Sequence, residues 1–336
     1  MARRAHIPGW QALPGVEVAA VCAPDLAAAQ SSADAFGIPH VFSDYHALLE
    51  LELDAVSICA PNSVHVPASL TAIESGKHVL CEKPMAVTAG QVKMLGEKAE
   101  AAGLLLMAQH QLRFAAEARA AYALVKTEKL GSVYHAQVRA LRRATVPTSV
   151  GFIDKALAGG GPALDIGVHS LDIALWLMDF PRPVRVTGTA KTNFAHGDKI
   201  TGDWGEWARS RFSVEDFAAG FVHFENGSTL ALECSWLGHY PERDDLSCRL
   251  FGLGGSLHWP TGEFSTTAGK AHSTGTLPLE ATDEPAHFAA IRAFYEAIQS
   301  GRPSPIPWKE TYWTIAIIEA LYESAAEGKE VFLRDV

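Results

Sequence analysis

Short, evenly apolar runs alternate with helix-length segments through the first half of the chain. Residues 16–22, 55–59, 78–81 and 104–108 carry no polar face, the pattern of strands buried on both sides of a sheet. Residues 26–36, 64–74 and 89–102 lie between them, and Gly76 and Gly103 stand where helices would end. Strand, helix and strand in repetition predict a parallel sheet. From about Ser132 the rhythm changes to longer alternating strands, clearest over 217–224 and 228–236, joined by Glu225-Asn226-Gly227. An Asn-Gly between such runs signals a hairpin. Helical segments over 285–299 and 310–326 close the chain. The expectation is an α/β parallel-sheet domain over residues 1–112 and a mainly antiparallel, open-faced sheet domain with helices over 113–336.

A doubly wound nucleotide-binding domain opens on a strand and a G-x-G-x-x-G turn, whose glycines let backbone amides approach a pyrophosphate at a helix N-terminus. Here residues 3–13 already read as the helix after that turn, and 16–22 as the second strand. The expectation is a domain without its first strand and glycine loop, through a misassigned start or a true loss. Gly252-Leu253-Gly254-Gly255 does not substitute, because Leu257 holds the third glycine position. That stretch reads as a turn between strands.

Length supports two domains, since 336 residues exceed the roughly 250 to 300 at which one core stops growing. With 48% hydrophobic residues the chain reads as globular, and no run approaches the ~20 apolar residues of a membrane span. A formal charge of −10 without a Lys/Arg cluster argues against a nucleic-acid partner. Cys22, Cys59, Cys81, Cys234 and Cys248 are odd in number, form no C-x-x-C pair and mostly sit in apolar runs, as reduced thiols of a cytoplasmic protein do. Arg3-Arg4 does not make an export signal, because Pro8 and Gly9 follow where a long apolar region belongs.

Three local signals combine. Glu82-Lys83-Pro84 follows one apolar strand, Pro61-Asn62 follows another, and Gly159-Gly160-Gly161-Pro162-Ala163-Leu164-Asp165-Ile166-Gly167-Val168-His169-Ser170-Leu171-Asp172 lies downstream. In that order and spacing the chain resembles the glucose-fructose oxidoreductase, inositol dehydrogenase and rhizopine-catabolism family (Gfo/Idh/MocA), from the helix at Arg3 to Val331-Phe332-Leu333. The resemblance implies a Rossmann-type domain paired with an open-faced antiparallel sheet. It also implies hydride transfer between NAD or NADP and a carbon of a sugar, glycoside or cyclitol.

Lys83 stands at a strand's C-terminal end, where parallel α/β sheets bind ligands, and it matches the family's catalytic lysine. An ammonium there can hydrogen-bond a substrate hydroxyl and stabilise a developing alkoxide. Glu82 orients it or holds the nicotinamide ribose; an isolated E-K-P would instead read as a solvated ion pair. Asp165 and His169, four apart, project from one helix face, and the preceding glycines let backbone pass close to a ligand. His169 is the expected proton carrier, with Asp165 binding substrate or orienting the imidazole. A buried histidine satisfied by a helix neighbour is the plain alternative. Asp172, on the same face, reads as structural. The pair lacks a local third ligand, so no Zn or Mn site is expected.

Pro61, Asn62 and His65 match the family's loop along the dinucleotide, although Asn at a helix start is also an ordinary N-cap. Asp25 is the acidic residue left for the ribose hydroxyls, because Ala23 stands where relatives often carry Asp, and NAD against NADP is open. Gly151 and Phe152 fall where some relatives carry Trp-Arg. Gln109, Gln111 and Arg113 follow the strand over 104–108 and can reach the same cleft, with Arg113 an expected substrate ligand. Trp204, Trp207 and Trp236 offer a sugar an aromatic face or pack internally. The rival reading, motivated by the missing glycine loop, is a noncatalytic sugar-binding or scaffold protein. Another possibility is that a partner subunit supplies the missing structure. An apolar open sheet face suits a homodimer or homotetramer.

Overall fold

The computed structural model describes residues 1–197, 200–279 and 282–333. Its parallel layer is two sheets. Strands β1 (Ala20–Cys22) and β2 (His40–Phe42) pair in parallel, and β3 (Ala55–Ile58), β4 (His78–Cys81) and β5 (Leu106–Ala108) form the second sheet in that order. Among the described residues no hydrogen-bonded strand joins β1 to β3. Helices α1 (Ile7–Gln11), which continues a π-helical turn over Ala2–His6, α2 (Leu26–Phe36), α3 (Tyr45–Leu49), α4 (Asn62–Glu74) and α5 (Ala89–Ala101) accompany these strands. Gly76 and Gly103 take φ of +77° and +68° just past α4 and α5, as their positions predict. The strand expected over 16–22 contracts to Ala20–Cys22, because its partner β2 offers only three residues to pair with.

After α6 (Ala116–Lys126) comes a nine-stranded sheet of β6 (Val133–Arg142), β7 (Pro183–Lys191), β8 (Phe217–Phe224), β9 (Thr229–Ser235), β10 (Asp244–Gly252), β11 (Gly255–Trp259), β12 (Glu263–Ala268), β13 (Ala271–Thr276) and β14 (Val331–Phe332). The order is β13-β12-β11-β10-β6-β9-β8-β7-β14, antiparallel except where β6 meets β9. The expected hairpin joins β8 to β9, and the Gly252–Gly255 stretch is the turn from β10 to β11. Between β6 and β7 run α7 (Val150–Ile153), α8 (Lys155–Ala158), a π-helical turn over Ala163–Gly167 and α9 (Val168–Leu177). The chain ends with α10 (Ala286–Ser300), α11 (Trp308–Glu327) and β14.

One face of the sheet is covered by α9 and α11, whose buried Leu171, Leu175, Ile318 and Leu321 join the sheet's Val138, Val186 and Leu232 in the main core. Gly188 and Gly220 admit α11 closely: a Cβ at either would come within 2.7 Å of Leu321. The other face keeps Tyr134 and Phe221 exposed, with His135 stacked between Phe221 and Phe251. The two closing helices also return to the parallel layer. Ile291 and Phe294 of α10 bury against Leu80 and Met107, and Trp308 of α11 lies on Gly96 of α5. This clamp sets the C-terminal ends of β4 and β5 against α9.

Candidate active site

Lys83 follows β4 and reaches across to the turn before α9. Its Nζ donates to the Asp165 carbonyl at 2.6 Å and to Asp165 Oδ1 at 3.1 Å. An ammonium has three N–H donors, so one remains for a ligand. Asp165 Oδ2 accepts from Trp236 Nε1 at 3.1 Å and has the Arg142 guanidinium 3.9 Å away. The carboxylate is thus held from both sides.

The glycine run places Asp165 by close contact. Gly159 takes φ +82°, and a Cβ at Gly161 would come within 2.2 Å of the Glu215 carbonyl oxygen. The buried Glu215 carboxylate accepts the Gly161 and Ala163 amides at 2.9 and 3.3 Å and the Tyr322 hydroxyl at 2.7 Å. Burial raises its pKa, and those donors offset part of the rise. Asp165 therefore sits in a π-helical turn, where the sequence suggested one continuous α-helix, while His169 stands in the first turn of α9.

His169 is 9% exposed, and its Nδ1 is buried without a partner. Burial lowers its pKa well below the ordinary value, and the nearby charge of Lys83 lowers it further. The ring is neutral at pH 7 and free to accept a proton.

Glu82 faces the other way. His6 Nε2 lies 2.8 Å from its Oε1, Ser57 Oγ lies 3.2 Å from His6 Nδ1, and Trp10 Nε1 donates to that hydroxyl at 2.7 Å. Ser57 accepts from the indole and keeps its own proton for Nδ1, so His6 Nε2–H donates to Glu82. Burial alone would raise the Glu82 pKa, but the hydrogen bond from His6, with the Lys83 cation close by, brings it below the ordinary value.

The remaining expected ligands have other partners. Arg113 is 5% exposed, paired by two nitrogens with Asp172 (2.8 and 2.6 Å) and also with Glu310, so it braces the helices rather than meeting substrate. The placement of Asp172 as structural agrees with this pairing. His65 Nδ1 and Nε2 lie 2.7 Å from the Pro84 carbonyl and 2.8 Å from the Ala60 carbonyl, and the neutral ring donates its one N–H to one of them, between the Lys83 turn and the loop after β3. Asn62 donates to the Ala158 carbonyl at 2.8 Å, and Pro61 lies beside Gly151. Asp25 caps α2 by accepting from Ala27 and Ala28. Trp207 and Trp236 are buried, and only Trp204 of the three is exposed. The sequence singled out neither Arg142 nor His110. His110 is wholly buried with both ring nitrogens lacking a hydrogen bond, and burial lowers its pKa to about 4.

The residues present fit the nicotinamide end of a dinucleotide. Gln109 Oε1 and both His110 nitrogens are buried without a hydrogen bond just past β5, His110 Nδ1 lying 3.7 Å from the Asp172 carboxylate, with the charges of Lys83 and Glu82 nearby. Such groups cost free energy until a polar ligand meets them. Among the described residues no three His, Cys, Asp or Glu side chains are grouped to hold a metal ion, and no helix is long and apolar enough to cross a membrane. The five cysteines are free thiols.

Residues 1–110 match the family model described as "Oxidoreductase family, NAD-binding Rossmann fold", and residues 118–258 match the "GFO/IDH/MocA C-terminal domain". The chain is 33% identical over 336 residues to the D-glucoside 3-dehydrogenase of Escherichia coli K12, covering 99% of this chain and 95% of that protein. It is 24% identical over 315 residues to a scyllo-inositol 2-dehydrogenase (NADP(+)) of Bacillus subtilis 168, covering 87% and 84% of the two chains. Its fold is that of a levoglucosan dehydrogenase solved with NADH and levoglucosan, with a TM-score of 0.84 at 20% identity over 98% of this chain and 96% of the other.

Proposed function

Because the chain belongs to the Gfo/Idh/MocA family of oxidoreductases, we propose that Lys83, Asp165 and His169 are the residues with which it works on its substrate. The reaction is an NAD(P)-dependent hydride transfer to or from a carbon of a sugar, glycoside or cyclitol. A bound dinucleotide would accept or supply the hydride.

The protein's own groups handle the proton. The third N–H of Lys83 meets the reacting oxygen and stabilises negative charge as the hydroxyl proton leaves. The neutral imidazole of His169 takes that proton in oxidation and returns it in reduction. Asp165 fixes the ammonium, and Glu82, held by His6, accepts from the Lys83 amide and so backs the turn that presents the lysine rather than holding the nicotinamide ribose. Asp25 stands at the adenosine end; with Asp44 near Cys22 it makes the end of β1 acidic, which favours NAD over the extra phosphate of NADP. The observation that carries the reading is the pairing of Lys83 Nζ with Asp165 beside the buried, neutral His169.

Division at residues 112 and 113, a cytoplasmic location consistent with free thiols, and a homodimer or homotetramer formed through the uncovered sheet face belong to the same reading. Titration with NADH and NADPH, followed by reduced-nicotinamide fluorescence, tests it. Saturation by NADH with weaker NADPH binding is expected. No binding of either at millimolar concentration leaves the noncatalytic reading standing.

A further inference from the structure

We propose that Trp204, tied to the active site by Arg142, forms a second ligand subsite that takes the group on a sugar's glycosidic oxygen. The substrate is then a glycoside or disaccharide rather than a free monosaccharide or cyclitol. This deepens the proposed function and rests on it.

Trp204 is 49% exposed, whereas Trp207, Trp236, Trp259 and Trp308 are each 7% exposed or less. Its loop is nevertheless fixed. The Asp203 amide donates to the Ala144 carbonyl at 2.7 Å, the Asp203 carboxylate pairs with Arg243 at 3.1 Å, and the Gly202 backbone lies against the buried Trp207 ring. The Arg142 guanidinium lies 4.9 Å from the Trp204 ring centroid and covers one face of the indole. The exposed remainder offers the other face to a ligand.

Arg142 has only 16% side-chain exposure and stands at the end of β6. It lies 3.9 Å from Asp165 Oδ2, and its Nε is 3.2 Å from Asp244 without a directed hydrogen bond. A continuous line runs from the indole through Arg142 and Asp165 to Lys83. Trp204 therefore lies within about 10 Å of the Asp165 carboxylate. A single pyranose ring held at Lys83 does not span that path, but a ring with its glycosidic substituent does.

Rigid aromatic faces stack on the C–H patches of a sugar or aglycone ring at small conformational cost, and the cation behind the indole leaves N–H donors for nearby hydroxyls.

The test compares Trp204→Ala and Trp204→Phe with the wild-type enzyme on phenyl β-D-glucoside, maltose and D-glucose. The subsite predicts a loss of about tenfold or more in kcat/KM on the two glycosides for Trp204→Ala, mainly through KM, with D-glucose changed less than about twofold and most of the loss recovered by Trp204→Phe. Equal losses on all three sugars, or none, overturn it. Calorimetric titration with phenyl β-D-glucoside provides a readout apart from turnover. About tenfold weaker binding by Trp204→Ala supports the subsite, and unchanged or undetectable binding by wild type overturns it. If no sugar is oxidised by any form, the proposed function fails, while calorimetry still decides the subsite.

Discussion

In the proposed mechanism Asp165 acts by holding its neighbour. Lys83, Trp236 and Arg142 converge on its carboxylate, so it is a poor candidate for a free base and a good one for fixing an ammonium. Asp165→Asn keeps the shape and removes the charge, and a fall of about 10²-fold in kcat is expected with NADH affinity retained. On the same proposal His169 takes the proton role that this leaves. Its folded pKa lies well below 6.5, so the base form persists into acid and kcat/KM for oxidation should stay flat from pH 8 to below 6.5. A pH profile with an inflection at 6.5 or above contradicts this assignment. The lysine, aspartate and histidine were legible in the sequence because their types and spacing carry the chemistry locally. Trp236 and Arg142 were not, since each stands at a strand end whose neighbour depends on register and on where the π-helical turn falls. Arg113 misled for the same reason: its partners Asp172 and Glu310 lie 59 and 197 residues away.

At the scale of elements, the turn that presents Asp165 depends on the absence of side chains. A methyl at Gly161 would meet the Glu215 main-chain oxygen, which cannot rotate away. Gly161→Ala should therefore destabilise the protein by about 1–3 kcal/mol and lower activity beyond the loss of folded protein, as urea denaturation and kinetics on the folded fraction would show. An unchanged urea midpoint would show that the turn has room. Leu321 makes the parallel case for the sheet, resting on Gly188 and Gly220; Leu321→Ala should cost about 2–5 kcal/mol. Long elements were readable from periodicity: α2 spans the residues expected, and α10 and α11 shift by two residues or fewer at each end. Strand β2, of three residues, and β13, mostly exposed, were not read, because short or polar strands are recruited by edges already in place.

For the molecule as a whole, buried and half-buried neutral histidines set the response to acid. His65, His78, His110, His135, His169 and His287 all have pKa values lowered by burial. The unfolded chain takes up protons near pH 6.5 and the folded chain does not, so stability is full above that value and declines as pH falls. For His110 the window runs from 6.5 down to about 4 and contributes about 3 kcal/mol at its acid end. Urea midpoints at pH 7.5, 6.0 and 5.0 should fall in that order, and constant midpoints would contradict the assignment. The two-layer plan was legible because the apolar rhythm changes after the fifth parallel strand. The return of α10 to the first layer was not, since the period of its apolar face does not say which sheet it meets. The most direct test of the central claim is single-turnover hydride transfer followed by nicotinamide absorbance, in wild type and Lys83→Ala, with NADH binding measured on both. A fall of about 10²-fold or more with NADH affinity unchanged is predicted; transfer at the wild-type rate would contradict the assignment of Lys83 and the site built around it.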